Sequence, residues 1–239
     1  MAALNFKVDR YFAWAPGIET QEDWQCYFTD PANFVIADDH KANVAFIPAM
    51  KRRRLSVLAR AAFYAADKCL EPGEQPSTIF SSMYGESQRT YDILSDIVAR
   101  EDLSPMAFSL SVHNAISGQF SILQGLKSPT IAVAPGKESY LGSFADAIGQ
   151  LHEGTEQVLL VFYEEAVPEF YQQYISTSPY PVALAVKISL NDHDDMALTL
   201  SYDGNSMHEP ETDMPLMNMI RFFSGLTSDC SLGPWKLSN

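Results

Sequence analysis

A covalent mechanism needs a nucleophile, and the chain offers sulfur at three places, Cys26, Cys69 and Cys230. They are odd in number and far apart, and no CxxC pair occurs, so neither a disulfide framework nor a zinc site is expected. Each reads as a buried apolar thiol. A serine nucleophile on a strand-to-helix elbow needs the glycines of G-x-S-x-G to permit its strained turn. The nearest stretch, Gly136-Lys137-Glu138-Ser139-Tyr140-Leu141-Gly142, has the wrong glycine spacing. Ser139 there reads as a helix cap or a surface serine. The five histidines, at 40, 113, 152, 193 and 208, form no HExxH or other metal spacing. His193, among Asp192, Asp194 and Asp195, reads as part of a solvated turn. Glycine clusters that cradle phosphate are missing as well. No metal and no cofactor is expected.

Two polar clusters remain. Lys51, Arg52, Arg53 and Arg54 hold four of the 16 Lys and Arg residues. They open a helical pattern, where the macrodipole disfavours positive charge. That placement suggests use by an acidic partner, set against a solvated basic face or salt bridges to the acidic remainder of the chain. His113-Asn114 precedes a small-residue helix (Ala115, Ser117, Gly118, Ser121) and reads as its hydrogen-bonded start.

The elements that must hold these residues follow from periodicity. Phe6 to Trp14 reads as a strand. Thr20, with Asp23 and Trp24 following, reads as the N-cap of a helix. After Pro48, one long helix is expected from Met50 to Leu70, with Leu55, Leu58, Ala59, Ala62, Ala66 and Cys69 forming its buried stripe. Glu71-Pro72-Gly73 stops it. Ser77 to Met83 is a buried strand, Tyr84-Gly85-Glu86 a turn, and Tyr91, Leu94, Ile97 and Val98 mark a helix. Ala115 to Leu126 is a further helix and Thr130 to Ala134 a short strand. Ser139 to His152 is helical, with Leu141, Phe144, Ala145, Ile148 and Leu151 on one face. Val158 to Tyr163 is a continuous apolar strand of the kind covered on both faces. Val182 to Leu190 and Ala197 to Tyr202 are expected to pair as an antiparallel hairpin across the polar turn 191–195. Pro215 to Leu226 closes the pattern as a helix. Alternating strands and helices argue for an α/β layered domain, with no linker that demands a second one.

The 239 residues suffice for one sizeable domain. Hydrophobic residues make up 46% and charged ones 19%, a globular balance. A net charge of -14 repels phosphate backbones, so nucleic acid is disfavoured as a partner. No apolar run approaches the roughly 20 residues that cross a bilayer. The N-terminus lacks a basic start followed by an apolar stretch, so a cytoplasmic protein without a signal peptide is the expectation.

Order and spacing then supply a resemblance. Ser104-Pro105, Asn114, Gly118, Gly125, Ser128-Pro129, Ile131 to Ala134, Gly154 and Val158 to Glu165 resemble, in that order, the N-terminal half of β-ketoacyl-acyl-carrier-protein synthases. Arg52-Arg53-Arg54-Leu55-Ser56 with Ala61-Ala62, and Phe80 to Gly85, resemble earlier segments of the same enzymes. Together these cover about half of the chain. Two departures matter. The nucleophilic cysteine of the family falls at Lys137, which keeps a helix start but cannot form a thioester. The enzymes are also about twice this length, and the two histidine motifs of their C-terminal half do not occur after Glu165. Leu110-Ser111-Val112-His113-Asn114-Ala115 and Ala13-Trp14-Ala15-Pro16-Gly17 resemble a short family of ketosynthase-like chain-length factors, including those of aryl-polyene synthesis.

The resemblance implies a truncated thiolase-like fold, a layered sheet with helices on both faces, over residues 1–239 as a single domain. It implies no catalysis by the chain alone and a heterodimer with an active β-ketoacyl synthase, with acyl carrier protein met indirectly. Thr130, Ile131, Ala132, Val133 and Ala134 would be the edge strand pairing across the dimer axis, beside His113 and Asn114. A bare apolar edge is an aggregation hazard, which a partner removes. Met106, Phe108, Leu110, Val112 and Ile116 would line the partner's acyl tunnel, with Phe108 and Ile116 as gates. Lys51 to Arg54 would dock the carrier or the partner. Two alternatives stand beside this reading: a purely structural stabiliser of the ketosynthase, and a stand-alone hydrolase using Ser139 with one of the histidines.

Overall fold

The computed structural model describes residues 3–31, 40–136, 140–190, 197–202 and 214–238. Its framework is an eight-stranded sheet in the order β3-β2-β4-β5-β1-β6-β8-β7. The strands are β1 (Ala3–Trp14), β2 (Ser77–Ser81), β3 (Thr130–Val133), β4 (Gln157–Glu164), β5 (Val182–Ser189), β6 (Ala197–Tyr202), β7 (Asp229–Leu232) and β8 (Trp235–Ser238). β2 runs parallel to both β3 and β4; every other neighbouring pair is antiparallel. β4 shows why the sheet is central. Leu160 and Phe162 enter one apolar cluster, Leu159, Val161 and Tyr163 the other, and all are fully buried. The period of two thus feeds a core on each face.

Helices cover both faces. On one lie α3 (Val57–Lys68) and α6 (Ala115–Gln124), on the other α7 (Leu141–His152) and α9 (Pro215–Phe223). α3 sits close to the sheet because Ala59, Ala61, Ala62, Ala65 and Ala66 face inward and are essentially buried. α1 (Gln21–Thr29) starts at Thr20 as expected. Thr20 Oγ1 accepts from Asp23 N at 3.1 Å, and Asp23 Oδ2 accepts from Thr20 N at 2.9 Å. α4 (Ser87–Ala99), α5 (Pro105–Ser109) and α8 (Glu169–Gln172) complete the connections, together with α2 (Ala49–Arg52).

Four expectations are corrected. The helix expected from Met50 to Leu70 is two, α2 and α3, because Ser56 caps the second: its Oγ accepts from Ala59 N at 2.9 Å. Lys51 and Arg52 therefore end a short helix rather than open a long one, and sit where its dipole favours cations. The hairpin of β5 and β6 does not form. β1 lies between them and pairs antiparallel with both, Phe6 opposite Leu198 and Tyr11 opposite Val186. On α7 the buried face runs through Ser143, Phe144, Ala147, Ile148 and Leu151, while Ala145 is exposed. β7, β8 and α5 were not expected. Residues 137–139 and 191–196, and with them Lys137, Ser139 and His193, lie outside the described residues.

Candidate functional site

Ligand sites of open sheets gather beyond the C-terminal ends of parallel strands. Here those ends are Ser81-Ser82 after β2, Val133 after β3 and Glu164 on β4, and α7 begins beside them. Its N-cap is Tyr140, a non-glycine residue in the left-handed region (φ 59, ψ -5). Such backbone costs on the order of 1–2 kcal/mol and persists only where packing enforces it. Tyr140 is fully buried, its ring edge-on to Phe162 at 5.0 Å, and its hydroxyl donates to Glu164 Oε1 at 2.7 Å.

Glu164 is the hub. Its Oε1 also accepts from Met83 N at 2.5 Å, and its Oε2 from Ser82 Oγ at 3.3 Å. Ser82 Oγ accepts in turn from Gly85 N at 2.7 Å. Burial pushes the Glu164 carboxyl up to about 7, against the opposing pull of the Met83, Tyr140 and Ser82 donors. Tyr140 is pushed far above the ordinary phenol range, by burial first and by the Glu164 charge second. Next door, burial raises Glu165 to about 7, with the charges of Glu86 and Glu164 adding and Arg89 opposing. Glu86 is buried, accepts from Ser56 Oγ at 2.6 Å and pairs with Arg89 Nε at 3.2 Å.

This arrangement bears on nucleophilic chemistry. A helix N-terminus stabilises a thiolate only within its first turn. That turn starts at Leu141, behind Tyr140; Lys137, at the position the resemblance gives the nucleophile, lies outside the described residues. The chain places a locked phenol, an apolar side chain and a glycine there. Ser143, one turn in, is buried and donates to Ser81 Oγ at 2.8 Å. The cysteines stand elsewhere. Cys69 is buried under β5 with its thiol pushed up to about 12 by burial, and Cys230 is buried in β7, whereas Cys26, expected to be buried too, is exposed on α1. Among the described residues no group of three His, Cys, Asp or Glu could hold a metal, and no helix is long and apolar enough to cross a membrane.

The second half of the site is apolar and faces outward. The segment between α4 and α6 exposes Met106 (49%), Phe108 (61%) and Val112 (44%), while Leu110 is half-buried. Ile116 is 1% exposed and belongs to the core beside Phe80 and Phe120. Val98 (85%) on α4 and Ile122 (74%) on α6 are exposed as well. Thr130 to Val133 form the sheet edge, every residue half-buried, and Ala134 is exposed just beyond it. Asn114 is the N-cap of α6 but makes no side-chain capping bond. His113 turns back to the sheet, its Nε2 lying 2.8 Å from the Ser82 carbonyl. Lys51, Arg53 and Arg54 are exposed and Arg52 half-buried, and none pairs with a described carboxylate at salt-bridge distance.

Sequence reasoning found the outward segment and the edge but missed Tyr140, Ser82, Glu86 and Glu164. One signal was there: two glutamates closing the continuous apolar run of β4 must either leave the sheet or be buried with partners.

The comparisons agree with this geometry. Residues 24–227 match the family described as β-ketoacyl synthase, N-terminal domain. A chain of the complex between the ketosynthase ApeO and its chain length factor ApeC from Xenorhabdus doucetiae is 25% identical, with a TM-score of 0.80 over 99% of this chain and 100% of that one. The ishigamide ketosynthase/chain length factor is 13% identical, with a TM-score of 0.63 over 85% and 68%. A β-ketoacyl synthase from Burkholderia phymatum is 10% identical, with a TM-score of 0.60 over 94% and 71%. Those last two show the fold alone. No curated protein is similar in sequence. The truncated ketosynthase fold, with helices on both sides of its sheet, and a match running through most of the chain make this protein a member of the β-ketoacyl synthase N-terminal domain family.

Proposed function

We propose that the chain is a chain-length factor: a non-condensing, ketosynthase-like subunit that pairs with an active β-ketoacyl synthase and shapes its acyl tunnel. The likeness to the ApeO–ApeC complex over the full chain supports that role. The observation that carries its non-catalytic half is the α7 N-terminus, where the Tyr140 hydroxyl donates a hydrogen bond to the buried Glu164 and no sulfur stands in the first turn. Tyr140 is fully buried, and its hydroxyl is committed to Glu164, so it presents no free nucleophile to an acyl chain. By the resemblance read from its motifs, the pair builds fatty-acid- or polyketide-like chains of the aryl-polyene type, and residues 1–239 act as one domain.

In this role β3 adds to the partner's sheet, and the apolar surface of α4, α5 and α6 is covered on assembly. Exposed apolar area of this kind marks interaction surfaces. Phe108 and Met106 then project into the partner's tunnel, with Val112 and Leu110 behind them. Ile116 serves from inside the core, holding the segment's exit rather than meeting the acyl chain. An acyl chain that grows past Phe108 must displace it. Overfilling a packed pocket costs about 1–3 kcal/mol, which slows the next extension by roughly 5- to 150-fold.

Phe108→Ala is therefore expected to lengthen the product of the reconstituted pair by at least one extension unit, read by mass spectrometry of carrier-bound products. Unchanged products with both Phe108→Ala and Met106→Ala leave only a stabilising role for the subunit. The exposed Lys51, Arg53 and Arg54 are assigned to the acidic carrier. Their reversal to Glu is expected to weaken carrier binding to the pair, most at low salt, where surface charges are least screened.

A further inference from the structure

We infer that His113 is a positioning residue for product length: it fixes how far the Met106–Val112 segment projects. This inference rests on the chain-length-factor reading. Between α4 and α6 the chain has little structure beyond the five residues of α5. Its hydrogen bonds are local, Ala107 N to Ser104 Oγ, Ser109 Oγ to the Met106 carbonyl and Ser111 Oγ to that of Phe108. One long bond, 3.5 Å from Thr90 Oγ1 to the Ser111 carbonyl, reaches α4. Among the described residues, the single short tie from this segment to the sheet is His113 Nε2 to the Ser82 carbonyl at 2.8 Å. A carbonyl only accepts, so the ring carries its proton on Nε2.

Both ends of this tie are held. Ser82 is buried, and its Oγ is fixed by Gly85 N and by Glu164, which Tyr140 and Met83 fix in turn. On the other side the ring rests against Gly85. A Cβ there would lie 3.3 Å from His113 Cδ2 and press the ring by a few tenths of an ångström, and Gly85 has a φ of +52, which favours glycine. The network filling the helix start of α7 thus also anchors the outward segment, through one imidazole. Phe108 and His113 therefore act differently. Phe108 is an obstacle, and its removal moves the length limit. His113 is a tether, and its removal lets the obstacle wander, so lengths spread on both sides of the usual one.

The test uses the complete complex of this chain with its ketosynthase and reads the length distribution of carrier-bound products. His113→Ala is expected to raise the share of shorter and longer products together several-fold, with assembly unchanged on size-exclusion chromatography. His113→Gln, whose amide can donate to the Ser82 carbonyl, is expected to restore the narrow distribution in part. Gly85→Ala, which pushes the intact ring aside, is expected to broaden it and decides the matter should His113→Ala fail to assemble. A wild-type distribution from an assembled His113→Ala complex, or from Gly85→Ala in its stead, overturns the inference. If Phe108→Ala shifts lengths in the same experiment, the chain-length-factor reading survives that failure. If neither position nor replacement of the whole subunit alters the products, that reading is what has failed.

Discussion

Glu164→Gln is expected to remove about half of the loss of stability that the protein suffers between about pH 4.5 and pH 7. The ordinary carboxyl titrates at 4.5 in the unfolded chain and at about 7 in the fold. Below 4.5 both states hold the proton and the group costs nothing. Between the two values the unfolded chain ionises while the folded one cannot, so stability falls as pH rises, and it levels off above 7. A raised value of this size corresponds to about 3 kcal/mol. Glutamine keeps the shape, and its carbonyl still accepts from Tyr140 and Met83. Urea unfolding at pH 5 and pH 8 checks this: the wild type loses stability between the two, and the variant loses roughly half as much. Glu165, raised for the same reason, leaves a residual slope. An identical slope in both proteins would mean that Glu164 is already ionised at pH 5 in the fold.

Ala132→Pro is expected to weaken pairing with the ketosynthase about a hundredfold while leaving the chain folded. In the parallel ladder, Thr78 N donates to the Pro129 carbonyl at 2.9 Å and Ser82 N to that of Val133 at 3.2 Å. Bonds to one neighbour pass through alternate residues, so Pro129, Ile131 and Val133 face β2, whereas Thr130 and Ala132 turn their backbone groups outward. Proline at 132 removes an outward N–H and spares the inner ladder, the one place where a sheet tolerates it. If β3 joins the partner's sheet, losing that donor and gaining a ring in the interface should cost roughly 3 kcal/mol, about a hundredfold in Kd. Ile131→Pro is the contrast: it strikes the bond to β2 and should unfold the edge itself. Binding measured by biolayer interferometry, with circular dichroism as the control for folding, separates the two. Full affinity in Ala132→Pro would show that the partner lies on another surface.

Much of this was legible in the sequence, for reasons that differ by element. β4 could be read because a strand buried on both faces is apolar throughout, and α1 because Thr20 and Asp23 form a capping box whose bonds are local. Both depend on neighbours in the chain. The position of β1 could not be read that way. Its insertion between β5 and β6 is decided by long-range pairing, and the polar turn between the two later strands suggests a hairpin to any local rule. The break between α2 and α3 was hidden because Leu55 and Leu58 carry one apolar stripe across it, although the Ser56 cap on Ala59 N is itself local. The outward segment was recognisable by its motif, but whether each apolar residue points in or out was not. Ile116 and Phe108 look equivalent as letters, and only packing against Phe80 and Phe120 separates them. The Tyr140–Glu164 pair joins residues on different elements, and no spacing rule connects them.

The placement of β1 also bears on synthesis. Its two neighbours in the sheet, β5 and β6, begin at Val182 and Ala197, so β1 waits unpaired while residues 15–181 are made. Contacts this distant in sequence slow folding and prolong exposure to aggregation. Translating the two subunits from one message would supply the ketosynthase surface as the sheet closes, and expression of this chain by itself should yield more inclusion bodies than coexpression does.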